Sequence, residues 1–312
     1  MITDATRVLI TGGAGFIGSH LCEEVLKHTR HIVVVDDLST GTESNIPLGV
    51  EFFRVDISKC DELYTAMRDI DVVFHVAAQP STRSSIEDPD LDFLSNALGT
   101  YNVLIVARDA GIKRIIYTSS SAIYGEPERL PIAEKQLPGP MTPYGASKLC
   151  GENYCNVFAR AYGLDCTCLR PFNVYGSREN LETSLDEVVH YTRAVTEGQP
   201  ITVNGDGSQT RDYIYVKDVV RAHVMAANND NSIGKVLNIG TGGEIRINDL
   251  IKTIEVVTGR KAEVQYKPWP EGDIKREYAD ISLAKKVIGY QPETRLSDGI
   301  RQLIGELQTS RT

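Results

Sequence analysis

Val8-Leu-Ile-Thr-Gly-Gly-Ala-Gly-Phe-Ile-Gly18 is the stretch whose reading decides the fold. Arg7 to Thr11 is a short β-branched apolar run stopped by Gly12 and Gly13, as expected of a buried strand, and Phe16 to Lys27 then carries apolar residues at helical spacing. Gly12, Gly15 and Gly18 therefore lie in a strand-turn-helix junction. Missing side chains there permit a tight turn, a close approach of backbone to a pyrophosphate, and close packing of the helix that begins at Phe16 and Ile17. The expected ligand is a dinucleotide. A phosphate loop of the nucleotide-hydrolase kind needs a lysine after its last glycine, whereas Ser19 and His20 follow Gly18.

The next apolar run, His31 to Val35, ends at Asp36, where a carboxylate can accept hydrogen bonds from the adenosine ribose hydroxyls. That selects NAD, since a 2'-phosphate needs a nearby arginine and Asp37-Leu-Ser-Thr40 offers none. Asp56 and Ile57, ending another strand, are placed to flank the adenine. Strands near 7–11, 31–35, 50–55, 71–76, 113–119 and 164–169 alternate with helical stretches, the pattern of an α/β Rossmann-type doubly wound parallel sheet. After Arg170 the elements shorten, broken by Gly198-Gln-Pro200, Gly205-Asp-Gly207 and Gly240 to Gly243. The expected organisation is a dinucleotide-binding domain over 1–172, to which 213–240 return, and a smaller C-terminal substrate lobe over 173–312.

Pro143-Tyr-Gly-Ala-Ser-Lys148 supplies chemistry. On a helix, residues four apart share a face, so Tyr144 and Lys148 present a phenol beside an ammonium. A free phenol, with a pKa of about 10, is a poor base at neutral pH, and an adjacent cation pulls that value down. This is the acid/base unit of a hydride-transfer enzyme. Upstream, Tyr117-Thr-Ser-Ser-Ser-Ala-Ile-Tyr-Gly125 offers hydroxyls to stand beside it.

Composition excludes several classes. The 312 residues carry a formal net charge of −9 and no basic block, so nucleic acid and anionic membrane are poor partners. The first strand starts by residue 7, leaving no room for a signal peptide, and no apolar run approaches the roughly 20 residues that span a bilayer. A cytoplasmic protein is expected. The 6 cysteines lack metal-ligand spacing and read as small buried hydrophobes of a reducing compartment, so no metal is expected. His75, ending an apolar strand, reads as a hydrogen-bonded packing residue.

Taken together, these stretches resemble the extended short-chain dehydrogenase/reductase family, in particular nucleoside-diphosphate-sugar 4-epimerases of the UDP-glucose 4-epimerase type. The markers run in family order: the glycine loop, Asp56-Ile57, His75-Val-Ala-Ala78, Asn96-x-x-Gly-Thr100, Ser119 to Gly125, Tyr144-x-x-x-Lys148, Arg170-Pro-Phe-Asn173, Arg211-Asp-Tyr213 and Asn238-Ile-Gly-Thr-Gly242. The resemblance implies NAD as cofactor and a nucleotide sugar, a UDP-hexose, as substrate. It implies Ser120 as the hydroxyl beside Tyr144, with Ser119 and Ser121 as alternatives. Lys148 would also hold the nicotinamide ribose, Ala77 and Ala78 would lie against the cofactor, and Asn96 would support it. Asn173 and Arg211 match positions that hold the diphosphate, a role that suits a planar guanidinium.

The implied reaction is epimerisation through a 4-keto sugar, with hydride taken up and returned by NAD. The family's dehydratases and decarboxylases place carboxylates directly after the catalytic hydroxyl residue, where this chain has Ser121 and Ala122. A 4-keto reductase or a non-catalytic NAD sensor are the other readings of the fold. Asp92 to Ala110 and Tyr144 to Tyr162 correspond to the helices of the family's dimer interface, which implies a homodimer. Three departures bear on substrate. Pro270 stands two positions before Gly272-Asp273 where the family has arginine, with Arg276 as a possible replacement; Asn204 replaces an aromatic residue that stacks on the base; and Glu277 occupies the gate beside the sugar's C2 substituent.

Overall fold

The computed structural model describes residues 1–179, 186–270 and 274–309. Its centre is a seven-stranded parallel sheet. Six strands come from the first part of the chain: β1 (Val8–Thr11), β2 (Ile32–Asp36), β3 (Glu51–Arg54), β4 (Val72–His75), β5 (Arg114–Thr118) and β6 (Asp165–Pro171). The seventh, Val236–Ile239, pairs with β6, and the order across the sheet is Val236–Ile239, β6, β5, β4, β1, β2, β3. The chain therefore returns late to the first sheet.

Both faces of the sheet are buried, so strand residues alternate between two apolar layers instead of between core and water. Val8, Ile10, Val34, Phe74 and Ile116 face the layer that includes Leu21 and Val25 of the helix Phe16–Val25 and Val219 and Val220 of the helix Val216–Ala227. Leu9, Val33, Val35, Val73, Ile115 and Tyr117 face the layer under the helices Gly99–Asp109 and Pro143–Tyr162, with Val103, Cys155 and Phe158. The register sets Thr11 opposite Val35 and His75, and His75 opposite Tyr117, so the C-terminal ends of β1, β2, β4 and β5 form one edge. That edge is where a doubly wound sheet binds its ligand.

Beyond β6 the elements are short. Asn173–Tyr175 pairs with Tyr213–Tyr215, Thr210–Arg211 with Ile245–Arg246, and Ile201–Asn204 with Val264–Lys267. The helices Glu187–Glu197, Ile247–Thr258 and Leu296–Thr309 pack around them. Among the described residues, no helix is long and apolar enough to cross a membrane.

One expected helix differs in form. Asp92 to Ala110 reads as a single amphipathic segment, but the chain runs from a short helix, Pro89–Asp92, through a π-helical stretch, Phe93–Leu98, into the helix Gly99–Asp109. The widened turn carries Asn96, whose side chain is turned inward onto the backbone of Gln79. Such bulges occur mostly as single turns at functional sites.

Candidate active site

The glycine loop follows directly from close contacts. Gly12 sits at φ +72°, and a Cβ there would lie 2.7 Å from the Ala77 backbone; at Gly18 it would lie 2.0 Å from the Gly12 carbonyl oxygen. Neither position admits a side chain. The helix Phe16–Val25 can thus start against the ends of β1 and β4, beside a cavity of about 400 Å³.

Gly12, Gly15, Phe16, Ile17, Gly18, Asp36, Asp56, Ile57, Ala77 and Ala78, all expected at the cofactor, line that cavity together. Asp36 is buried, and its carboxylate accepts the Ala14 N–H at 3.0 Å and the Leu38 N–H at 2.8 Å. Burial pushes its pKa up while those two donors oppose the rise. Each oxygen retains a further lone pair for a ribose hydroxyl. Two lining residues carry no signal in the local sequence pattern. Gln79 has a buried side-chain nitrogen with no hydrogen-bond partner, an orphan donor at the cavity wall. Arg178 reaches the cavity from beyond β6 and is paired with Glu23 of the glycine-loop helix. A backbone-lined cradle, an acceptor at Asp36 and an unused amide donor fit a dinucleotide.

The helix Pro143–Tyr162 opens with Thr142 as its cap, the Thr142 hydroxyl accepting the Gly145 N–H at 3.2 Å, and with Pro143 at its first position. Tyr144 is thereby fixed in the first turn. Its phenol faces Ser120, which acts to lower the phenol's pKa. Ser120 also accepts the Ala122 N–H at 3.1 Å, capping the turn Ser121–Ile123. The neighbouring Ser119 hydroxyl is buried and unpartnered. Lys148, 3% exposed, donates from Nζ to the Thr118 carbonyl at 2.8 Å and lies 5.2 Å from the Tyr117 ring centroid and 6.0 Å from that of Tyr144.

The electrostatics differ from the expectation that Lys148 lowers the phenol. Burial pushes Tyr144 up to about 12, opposed by Ser120 and reinforced by Asp92. Burial pulls Lys148 down to about 8, opposed by Asp92 and Glu152. The reason is geometric: the ammonium is directed at the Thr118 carbonyl, not at the phenol oxygen, so desolvation dominates both groups.

Asn96 does not line the cavity. Its Oδ1 accepts the Gln79 N–H at 2.9 Å, and its Nδ2 donates to the Gln79 carbonyl at 3.1 Å and to Asp92 at 2.8 Å, so it braces the cavity wall from behind. Asp92, almost fully buried beside Tyr144 and Lys148, is a site residue the sequence reading missed; its place one helical turn before Asn96 was the available signal. His75 bonds Thr11 at 2.8 Å and Thr100 at 2.9 Å, and burial lowers it to about 3, in keeping with a packing role. All 6 cysteines are free thiols.

On the substrate side, Asn173 donates to the Asp212 carbonyl at 3.4 Å, and Arg211, buried, donates to the carbonyls of Thr210 at 2.9 Å and Ile274 at 2.8 Å. Asp212 accepts the backbone N–H groups of Thr241, Gly242 and Ala279. Arg276 is not poised for a phosphate. Its guanidinium is held by Glu244 in a two-bond fork, at 2.6 and 2.8 Å. Glu277 is only 9% exposed, so it does not turn out to water. Gly272 and Asp273 lie outside the described residues.

The sequence matches the model of the NAD dependent epimerase/dehydratase family over residues 8–240. A putative UDP-glucose 4-epimerase of Methanocaldococcus jannaschii is 38% identical over 305 residues, covering 97% of this chain and 99% of that protein. The Bacillus cereus UDP-glucuronic acid 4-epimerase, solved with UDP-glucuronic acid and NAD, superposes with a TM-score of 0.89 at 34% identity, covering 98% of this chain and 100% of the other. A UDP-N-acetylglucosamine 4-epimerase from Methanobrevibacter ruminantium, solved with UDP-N-acetylmuramic acid, gives a TM-score of 0.93 at 32% identity over 99% of both chains.

Proposed function

This chain belongs to the NAD dependent epimerase/dehydratase family, and we propose that within it the protein inverts C4 of a nucleoside-diphosphate hexose, interconverting UDP-glucose and UDP-galactose. The observation that carries the reading is the juxtaposition of Ser120 with the Tyr144 phenol, Lys148 lying one turn away. NAD, when bound along the glycine loop, supplies the hydride acceptor and donor. Tyr144 takes the proton of the sugar 4-hydroxyl while Ser120 holds that oxygen, and Lys148, its ammonium bonded to the Thr118 carbonyl, would hold the nicotinamide ribose. Asn173 and Arg211 hold the diphosphate while the 4-keto sugar turns to present its opposite face at C4, and Tyr144 returns the proton to the C4 oxygen.

Epimerisation is favoured over dehydration or decarboxylation because Ser121 and Ala122 carry no carboxylate to move a second proton. Relatives with this fold act on glucuronic or N-acetylated sugars, as their names state, so the sugar must be argued from this chain's own pocket. A buried Glu277 beside the sugar opposes both a uronate charge and the bulk of an N-acetyl group. Residues 1–172, with 213–240, form the cofactor half in this account, and 173–312 the nucleotide-sugar half.

The working unit is a homodimer in the cytoplasm. The helices Gly99–Asp109 and Pro143–Tyr162 expose Tyr101, Tyr154, Val157 and Tyr162 on one surface, and these rings with Phe158 form a contiguous aromatic patch. Such a patch is characteristic of a protein-protein contact. Turnover of a panel of UDP-sugars, with separation of the C4 epimers, tests the substrate reading; size-exclusion with light scattering tests the dimer.

A further inference from the structure

Arg170, near the end of β6, holds three elements at once. Its Nε donates to Glu152 Oε1 at 2.8 Å and its Nη2 to Glu152 Oε2 at 2.6 Å, while Nη1 donates to the Tyr124 hydroxyl at 2.7 Å. The pair is 6% and 3% exposed. Glu152 lies one turn beyond Lys148 on the helix that carries Tyr144. Tyr124 ends the turn that Ser120 caps, and its hydroxyl donates onward to Asn238 at 2.7 Å. That turn and the helix already touch: a Cβ at Gly145 would lie 2.6 Å from the Ala122 carbonyl oxygen. The spacing of Ser120 and Tyr144 therefore depends on how helix and turn are held together.

We propose that Arg170 is a positioning residue for the reaction, fixing through Glu152 and Tyr124 the helix of Tyr144 and Lys148 against the turn of Ser120. The inference rests on the assignment of those three residues made above. A planar guanidinium can satisfy a carboxylate with one edge and a phenol with another; a lysine ammonium cannot hold both in one geometry. A small displacement of the acid/base pair is costly to turnover even where binding survives.

The rival account, an ion pair that only stabilises β6 against the helix, makes different predictions for NAD-loaded protein. Lys148 is faced by Asp92 from the preceding short helix, by Tyr144, Glu152 and Cys155 from its own, by the Tyr117 ring of β5 and by neutral His75 of β4. Asp92 and Glu152 are the carboxylates that sustain its charge, and burial opposes them.

The test compares R170K, Y124F and E152Q with the parent for kcat, KM, bound NAD and the pH profile of kcat/KM. R170K is expected to lose roughly 10²-fold in kcat with KM and NAD content within about twofold of the parent. Y124F, which leaves the ion pair intact, loses less alone and adds little in the R170K background, because both act on one contact. E152Q moves the alkaline limb to lower pH, whereas R170K leaves it in place. Parent kcat in Y124F or R170K, losses that only track NAD content, or an unmoved limb in E152Q would overturn the proposal. Full turnover by Tyr144→Phe would instead sink the underlying assignment, so the two failures are distinguishable.

Discussion

The phenol of Tyr144 and the hydroxyl of Ser120 are brought face to face, although one lies on the first turn of a helix and the other caps a turn after β5. Burial raises the phenol to about 12, and Ser120 opposes that rise. Together they form the acid/base pair on which the proposed chemistry rests.

Tyr144→Phe removes the phenol's hydroxyl and leaves the ring that packs there. Turnover should fall by roughly 10³-fold or more, since positioned acid/base groups contribute about 10²–10⁴. Bound NAD, measured by absorbance after denaturation, should be unchanged. Near-parental turnover would show that another group moves the proton.

Activity should fall as pH rises through about 8, where Lys148 loses its proton. The sign follows from its role: the ammonium is the useful form, burial has pulled its folded pKa below the value of about 10.4 for a free lysine, and the charged form is therefore lost early on the alkaline side. Lys148→Met should abolish that limb, lower kcat and loosen the cofactor. A profile flat to pH 10 in the parent would contradict the assignment.

Asp36→Ala should narrow the preference for NAD over NADP, mainly by weakening NAD about tenfold, the scale of one hydrogen bond to a charged acceptor. Because Asp36 also bonds Ala14 and Leu38, some loss of loop order accompanies the change. Calorimetry with both dinucleotides decides it. Equal affinities in the parent protein would remove Asp36 as the selector.

Glu277→Ser should raise kcat/KM for UDP-N-acetylhexosamines relative to UDP-hexoses by about tenfold, within the range that one pocket contact supplies. The 9% exposure of Glu277 makes a purely solvent-facing role untenable, but only the ratio of the two sugar classes shows whether it faces the C2 substituent. An unchanged ratio would remove it from the gate.

The parallel sheet was legible because its strands are continuous apolar runs and its loop glycines sit where any Cβ would collide, as at Gly12 and Gly18. The residues of the glycine loop that line the cavity lie at the same junction. What the sequence concealed were choices of partner. The Arg276 guanidinium could have met Glu277 or a phosphate, yet Glu244, more than thirty positions away in the chain, takes it. Lys148 bonds a backbone carbonyl that no pattern of side chains reveals. Arg178 and Asp92 reach the site from elements whose placement depends on tertiary packing, and the π-helical turn at Phe93–Leu98 carries an inward Asn96 that periodicity counts as one more helical residue.

The most direct test of the central claim is incubation of the purified protein, without added cofactor, with UDP-glucose and separately with UDP-galactose, followed by separation of the C4 epimers. The account predicts the same mixture from either side, with little turnover of UDP-N-acetylglucosamine or UDP-glucuronic acid. Conversion of UDP-glucuronic acid in preference to UDP-glucose, or release of a dehydrated or decarboxylated sugar, would contradict it.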